Sequence, residues 1–275
     1  MLTVMALAER MGKACVEWFG RGNDQPKRGM IARFESNRQK VLWSSLSPGS
    51  ILCRVIDDND RRTVIAWFAE HGRSFPWRAT KDPYLVLIAA FMLQRTGVSQ
   101  VMNVYPAFAE RFPSLDSLSR ADAGELYKLL RPLGRLTRVP QLLGMARTIE
   151  FQYGGVVPDN LKALEDLPGL GQYSARSVMC MAFGQPYIML DPNSYRVVNR
   201  AWGFASTKSR VHTDRDLIAA LDAEVPEENP RSFNLALLDI GSQVCRKRKP
   251  RHDECPLAGR CIYQEEDRSG RTVCI

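Results

Sequence analysis

Apolar residues recur at helical spacing along most of this chain, and almost nowhere in the strict alternation of a half-buried strand. The clearest start is at Arg61, where Val64, Ile65, Trp67 and Phe68 make an apolar face ending near His71-Gly72. Phe75-Pro76-Trp77-Arg78 reads as an extended turn. Asp82-Pro83 then caps a buried helix over Tyr84–Leu93, which closes on the polar Gln94-Arg95-Thr96. The pattern predicts further helices around Val98–Phe112, Ala121–Leu130, Val139–Tyr153 and Asn160–Asp166, with Pro113, Pro132-Leu133-Gly134 and Gly154-Gly155 in the loops. Ser174–Phe183, Ser194–Ala201, Asp214–Ala223 and Arg231–Ser242 complete the helical set before a cysteine-containing tail. The expected fold class is all-α, without internal repeats.

Residues 1–58 carry a weaker signal and read as an N-terminal extension. Met1–Phe19 has a loosely helical pattern of Leu2, Met5, Leu7, Met11, Val16 and Phe19, which predicts an amphipathic helix. Gly20–Arg28 reads as a polar, basic linker. Lys40–Trp43 and Ile51–Val55 are short apolar patches on either side of Ser47-Pro48-Gly49. The expectation is an appendage with little structure, because termini concentrate disorder.

Composition narrows the partners more than the fold. With 275 residues, the chain can build one large core or two modest ones. A formal net charge of +8 points to a polyanionic partner. The most apolar run, Tyr84–Leu93, is too short to span a bilayer, so no membrane association is expected. Glu9 and Arg10 interrupt the apolar Met1–Leu7 at once, unlike a signal peptide, and the protein is expected to be intracellular, in the cytoplasm with the nucleoid. Its seven cysteines then read as thiols or metal ligands, not disulfides.

Candidate chemistry centres on Leu167–Arg200. Two glycines flank one apolar residue in Leu167-Pro168-Gly169-Leu170-Gly171, between two helical segments. Such a turn uses the backbone freedom of Gly169 and Gly171 and leaves amides unpaired at the start of the next helix, where a phosphate can bind. A plain helix–helix connection fits the same residues. Further on, the apolar run Tyr187–Leu190 delivers Asp191, followed by Pro192. That pair makes a good helix cap, and it also sets a carboxylate at the mouth of whatever the hairpin faces.

These residues resemble the helix–hairpin–helix Gly/Pro–Asp superfamily of DNA base-excision glycosylases, which includes endonuclease III and the adenine glycosylases. The resemblance covers Val64 to Cys261. It is nearest in form to the thymine–DNA mismatch glycosylases, through PWR at Pro76–Arg78, DPY at Asp82–Tyr84, VMCMAFG at Val178–Gly184, RVVNR at Arg196–Arg200 and FNLALLD at Phe233–Asp239. It implies two helical lobes with a DNA cleft between them: a six-helix barrel with the hairpin at 82–185, and a discontinuous metal-cluster lobe from 59–81 and 186–275. It further implies a monomer acting on double-stranded DNA.

The resemblance assigns roles residue by residue. Asp191 becomes the catalytic carboxylate, which stabilises positive charge on the sugar or activates water. Tyr173 stands where strand-cleaving relatives carry a lysine, so the implied enzyme removes a base without lyase chemistry. Gln94 matches the residue that fills the gap left by a flipped nucleotide, and Arg135 the wedge in the opposite strand. Ala90 replaces a glutamate that touches the flipped base in the adenine and thymine enzymes. This excludes direct protonation of adenine there and departs from the thymine enzymes too, implying a roomier pocket for a different or modified pyrimidine. The resemblance as a whole implies removal of a mispaired or modified base, a pyrimidine such as T or U opposite G.

In the tail, Cys245, His252, Cys255 and Cys261 follow the spacing of a four-cysteine [4Fe–4S] site, with His252 in place of the second cysteine. A structural zinc set, recruitment of Cys274, or no metal are the alternatives. Lys247 and Lys249 lie in the same basic loop as candidate phosphate contacts. Two other functions stay open: a catalytically weak damaged-DNA-binding protein, and a glycosylase that excises foreign modified bases in defence.

Overall fold

Helix-capping side chains at Asp57, Asp82, Ser114, Asp122, Asn160, Asp191 and Asp214 each accept a backbone N–H of the turn that follows, so local chemistry divides this chain before packing does. The computed structural model describes residues 55–134 and 136–264 in full, together with the backbone of three short strands in the N-terminal region. The chain divides into two compact units, Met1–Cys53 and Arg54–Ile275.

The N-terminal unit contains β1 (Cys15–Val16), β2 (Ile31–Ser36) and β3 (Gln39–Ser44), hydrogen-bonded in that order as an antiparallel sheet. Cys15 pairs with Glu35, and Arg33 with Leu42. This corrects the helix expected over Met1–Phe19 at Cys15–Val16, where pairing with β2 satisfies the backbone instead. The rest of that segment and the linker Gly20–Arg28 lie outside the described residues. The apolar patch at Lys40–Trp43 falls within β3.

The second unit is helical throughout its described residues. Its α-helices are α1 (Asp58–His71), α2 (Pro76–Ala79), α3 (Pro83–Met92), α4 (Val98–Met102), α5 (Tyr105–Arg111), α6 (Leu115–Ser119) and α7 (Ala123–Leu130). They continue with α8 (Val139–Tyr153), α9 (Leu161–Glu165), α10 (Gln172–Phe183), α11 (Pro192–Trp202), α12 (Arg215–Asp222) and α13 (Pro230–Gln243). Short 3-10 turns at Arg131–Leu133 and Leu136–Arg138 lead into α8. The helix expected over Val98–Phe112 is two, α4 and α5, because Pro106 sits in the first turn of α5, where a proline starts a helix.

One continuous apolar core joins Trp77 of α2, Leu87 and Phe91 of α3, Phe108 of α5, Leu126 of α7, Leu142 and Met145 of α8, and Val178 of α10. Complete burial of Phe108 alone is worth about 2–3 kcal/mol. Helix α3 packs on α10, whereas α13 packs on α1 and α11. Gly241 permits that last contact: a Cβ there would lie 2.5 Å from the carbonyl oxygen of Asn193. The buried Asp60 of α1 accepts the indole N–H of Trp202 on α11 at 2.8 Å. Among the described residues no helix is long and apolar enough to cross a membrane.

Candidate active site and DNA interface

The hairpin between α9 and α10 assigns different duties to its two glycines. Gly169 sits at φ +76°, and a Cβ there would meet Gln141 Cβ at 2.9 Å and Phe91 Cε2 at 3.0 Å. Both its conformation and its packing therefore require glycine. Gly171 is exposed and extended, and a Cβ there would meet nothing within 4 Å. The fold itself does not demand glycine at that position, which opens α10 to solvent at its N-terminus, where backbone donors and the helix dipole favour an anion.

Asp191 is delivered by the extended run Tyr187–Leu190, which side chains outside it hold in place. Asn234 of α13, fully buried, accepts the N–H of Met189 at 2.6 Å and donates to the carbonyl of Tyr187 at 3.1 Å. Arg176 of α10 donates to the carbonyl of Ile188 at 3.1 Å and forms an ion pair with Asp222. Asp222 in turn accepts the N–H of Ile188 at 2.8 Å. The Ser194 hydroxyl donates to the carbonyl of Met189 at 2.8 Å. A run with no sheet partner thus has backbone groups satisfied by polar side chains, those of Asn234, Arg176 and Ser194 buried.

Asp191 itself caps α11. Its Oδ1 accepts the backbone N–H groups of Asn193 and Ser194, each at 2.7 Å, and Oδ2 accepts the Asn193 side-chain amide at 3.2 Å. The carboxylate is half-buried at the start of α11, where the helix dipole favours its charge. Tyr173, in the first turn of α10, is close enough to feel it. Desolvation pushes the phenol's pKa well above its ordinary value; the charge of Asp191 adds to this, and Ser177 and Arg78 only partly offset it. Tyr173 is therefore a neutral hydroxyl at any physiological pH. Ala90 on α3 borders the same helix, its carbonyl accepting from the Ser174 hydroxyl at 3.4 Å.

Arg78, from the PWR motif, anchors this corner to α13. Both of its terminal nitrogens donate to the buried Asp239, at 2.7 and 3.0 Å, and Arg73 donates to the same carboxylate through its backbone N–H and its Nε, each at 2.8 Å. Burial alone would raise the Asp239 pKa. Hydrogen bonds and charge from Arg78, with the bonds from Arg73, outweigh it and hold the carboxyl below its ordinary value.

Gln94 follows α3 and reaches across to the hairpin, its amide donating to the carbonyl of Gly169 at 3.0 Å. Arg138 donates to the other end of that amide at 2.7 Å. The next residue, Arg95, has φ +56°, a conformation unusual outside glycine. Arg135 lies outside the described residues.

Cys255 and Cys261 each lie within electrostatic reach of Cys245 and of one another. Burial pushes the Cys255 thiol up to about 11, and Cys261 and Cys245 push in the same direction. The Cys261 thiol is likewise raised, first by burial and then by Cys245. A positive metal centre would reverse this cost by binding the thiolates. Buried Arg200 lies beside them, with one terminal nitrogen 3.7 Å from Cys245 Sγ and its Nε buried without a hydrogen-bond partner. His252 stacks on Tyr263, with ring centres 6.2 Å apart, and Arg200 covers the Tyr263 ring at 4.3 Å. Among the described residues, no three His, Cys, Asp or Glu side chains converge as ligands of one ion. Cys274 lies outside the described residues.

Arg200 also shapes the basic loop, donating to the carbonyls of Arg246 at 2.8 Å and Lys247 at 3.3 Å. Lys247, Arg248 and Lys249 are exposed, while the loop's backbone is held from inside. Arg260 ties the cysteine region to the start of α1 by an ion pair with Asp57. It also lies 3.0 Å from Asp60 Oδ1, an ion pair without hydrogen-bond geometry. Sequence reasoning did not single out Asn234, Arg176 or Arg138. Asn234 left a signal, as a polar residue on the apolar face of α13; the two arginines left none.

Residues 88–221 match the family model described as HhH-GPD superfamily base excision DNA repair protein. The chain is 39% identical over 211 residues to a thymine-DNA glycosylase of Aeropyrum pernix, an alignment spanning 75% of this chain and 95% of the relative. A thymine/uracil-DNA glycosylase of Methanothermobacter thermautotrophicus is 35% identical, over 74% of this chain and 92% of the relative. The solved structure of a thermostable thymine-DNA glycosylase superposes with a TM-score of 0.70 at 35% identity, covering 75% of this chain and 95% of the other. The hairpin, the carboxylate that follows it and these likenesses agree: the chain belongs to the helix–hairpin–helix Gly/Pro–Asp superfamily of base-excision DNA repair proteins.

Proposed function

We propose that this protein is a monofunctional DNA glycosylase that removes thymine or uracil opposite guanine, or a modified pyrimidine in the same position, from double-stranded DNA. The observation that carries this reading is Asp191 held at the start of α11 by the N–H groups of Asn193 and Ser194, with a tyrosine and not a lysine, Tyr173, in the first turn of α10. In the reaction, the nucleotide rotates out of the duplex and Gln94 fills the space it leaves. The C1′–N1 bond breaks and its electron pair leaves with the pyrimidine. A water oxygen bonds to C1′, and Asp191 stabilises the cationic sugar and takes the water's proton. A pyrimidine spreads the departing charge over its carbonyl oxygens, so a pocket with Ala90 in place of an acid suits it. Tyr173 has no amine to attack the sugar, so the product is an abasic site with the strand intact.

DNA lies between two lobes in this reading, one formed by residues 82–185 and the other by 59–81 with 186–275. The α10 N-terminus at Gly169–Gly171 takes one backbone phosphate, and Lys247 and Lys249 take others. Cys245, Cys255 and Cys261, with His252 as fourth ligand, would hold a [4Fe–4S] cluster. The buried, unpartnered Nε of Arg200, whose guanidinium lies beside Cys245, supports a negatively charged group there. Such a cluster would supply cross-linking that orders the Arg246–Arg251 loop against the DNA backbone. Iron and labile sulfide near four each per chain, retained in His252→Cys and labile in His252→Ala, are the expected outcome. One zinc without sulfide would replace the cluster by a structural zinc site.

A panel of duplexes with G·T, G·U, A·8-oxoguanine and modified pyrimidines, scored with and without alkali, tests the activity. Cleavage of G·T or G·U only after alkali is expected. Bound but uncut DNA would make the chain a binding module, and cleavage confined to a modified pyrimidine would point to removal of foreign bases.

A further inference from the structure

Gln94 is not free to enter a duplex in this structure. Its amide N–H donates to Gly169 in the hairpin at 3.0 Å, and its amide oxygen accepts from Arg138 at 2.7 Å. Arg138 is itself anchored: it donates to the carbonyl of Phe91 at 3.0 Å and lies over the Phe91 ring at 4.0 Å. Gly169 also packs on that ring, so closely that a Cβ there would lie 3.0 Å from Phe91 Cε2. Plug, hairpin and the end of α3 thus share one set of contacts. Beside them, Arg95 holds a left-handed backbone conformation that non-glycine residues adopt at a cost. A shallow pocket lined by Phe91, Met92, Thr96 and Arg138 borders the same turn.

We propose that Arg138 and the Gly169 carbonyl form a latch that stores Gln94 against the hairpin, making Arg138 a positioning residue that sets the threshold for nucleotide extrusion. This rests on the reading of Gln94 as the plug. Both hydrogen bonds must break before the amide can enter the duplex, and they break at the same cost whatever base pair is probed. A mismatched pair opens cheaply and meets that cost; a matched pair does not. Removing the latch therefore favours opening where opening is normally refused. One terminal nitrogen of Arg138 donates to both Phe91 O and Gln94 Oε1 while the other reaches the backbone carbonyl of Gln94 at 3.5 Å, so the planar fork holds three acceptors that a lysine point charge reproduces only in part.

The test uses full-length protein and duplexes with 2-aminopurine beside the target, in matched and G·T forms, reading base opening by fluorescence independently of excision. Arg138→Met is expected to raise opening of the matched duplex about tenfold, the effect of losing one charge-assisted hydrogen bond. The opening constant at G·T is expected to rise by the same factor, with a smaller change in signal because that pair is already more open, and Arg138→Lys is expected to fall between wild type and Arg138→Met. If Arg138→Met proves too unstable to assay, Arg138→Lys carries the test, because it keeps a cation at the end of α3. Gln94→Ala is expected to reduce opening at G·T. Matched-duplex opening no greater than wild type in both Arg138 variants, with Gln94→Ala impaired, overturns the latch and leaves the plug intact. Unchanged opening in Gln94→Ala overturns the plug reading, and the latch with it.

Discussion

Asp191→Asn separates the two duties that Asp191 combines. As a cap, asparagine is nearly equivalent: its amide oxygen can still accept from Asn193 and Ser194, both at 2.7 Å in the wild type. Two losses remain. The negative charge at the N-terminus of α11 goes, worth about 0.3–1 kcal/mol. The new amide N–H groups would also face the Asn193 amide that now donates to Oδ2, costing about one hydrogen bond, or ~1 kcal/mol. Asn193 cannot turn its amide over without losing Arg196, which donates to its oxygen at 2.9 Å. The sum is about 1–2 kcal/mol, a fall of roughly 2–8 °C in Tm for a helical unit of this size.

The catalytic cost is on another scale. A carboxylate that stabilises the cationic sugar or takes a proton contributes at least ~10²-fold, and its neutral amide does neither. Single-turnover excision at saturating enzyme on a G·T or G·U duplex, scored after alkali, measures this directly, with affinity followed by gel shift. Asp191→Ala supplies the contrast, because it loses the cap as well, at about 0.5–2 kcal/mol. The expected pattern is two variants equally inactive and unequally stable, both still binding DNA. A folded Asp191→Asn within tenfold of the wild-type rate, or activities that track the two stabilities, would refute the catalytic assignment and leave Asp191 a cap.

Tyr173→Lys is expected to form a borohydride-trappable adduct with the abasic strand, since an amine in the first turn of α10 would sit beside the sugar; an active variant without adduct would show that position 173 points elsewhere. Asp239→Asn should cost at least about 3 kcal/mol in denaturant unfolding, because Arg73 and Arg78 would keep their charges without a counter-ion. The depressed pKa of Asp239 also fixes a sign: its contribution is fully present above the ordinary carboxylate value near pH 4 and is lost as pH falls through the lower folded value. Unfolding midpoints of Asp239→Asn and wild type should therefore converge toward acid; a constant gap would contradict the ion-pair account. Replacing Lys247 and Lys249 together by Ala should weaken every duplex alike and reduce the salt slope by about two units, whereas altered base preference at unchanged slope would remove them from the phosphate contacts.

How far the sequence revealed this molecule depends on where each signal resides. Helix α8 is bounded as expected, Val139–Tyr153, because its periodicity is strong and Gly154 adopts the left-handed cap that ends it. The β1–β3 sheet was invisible as a sheet, because pairing between strands is not a property of any one window of residues. Asp191 and Tyr173 were legible as separate motifs, but their proximity depends on α10 lying near the run that ends at Leu190. The supports of that run were the least legible part. Arg176 sits in a run of small and apolar residues whose pattern says only that a helix is present, and its partners Ile188 and Asp222 lie 12 and 46 positions away. Gln94 was found by likeness to its family, whereas its attachment to Arg138 and Gly169 could come only from coordinates.

The same contrast revises the meaning of the net charge. A formal excess of +8 suggested a polyanion, as though basic residues were spread over a surface. Several arginines are instead committed internally. Arg176, Arg196, Arg200 and Arg231 each donate to at least one backbone carbonyl, and Arg78 is divided between Asp239 and the carbonyl of Arg73. Guanidinium groups suit this use because their fixed fork of donors can bridge several carbonyls at once. Such residues hold the run before Asp191 and the basic loop in shape, but their charge is partly withdrawn from solvent. The charge available to a phosphate is then more local than the total implies. One such place is the Arg246–Arg251 loop, where Lys247, Arg248 and Lys249 are exposed while Arg200 holds the carbonyls of Arg246 and Lys247. Buried arginine thus positions exposed lysine, so losing Arg200 should weaken DNA binding without removing any charge that touches DNA.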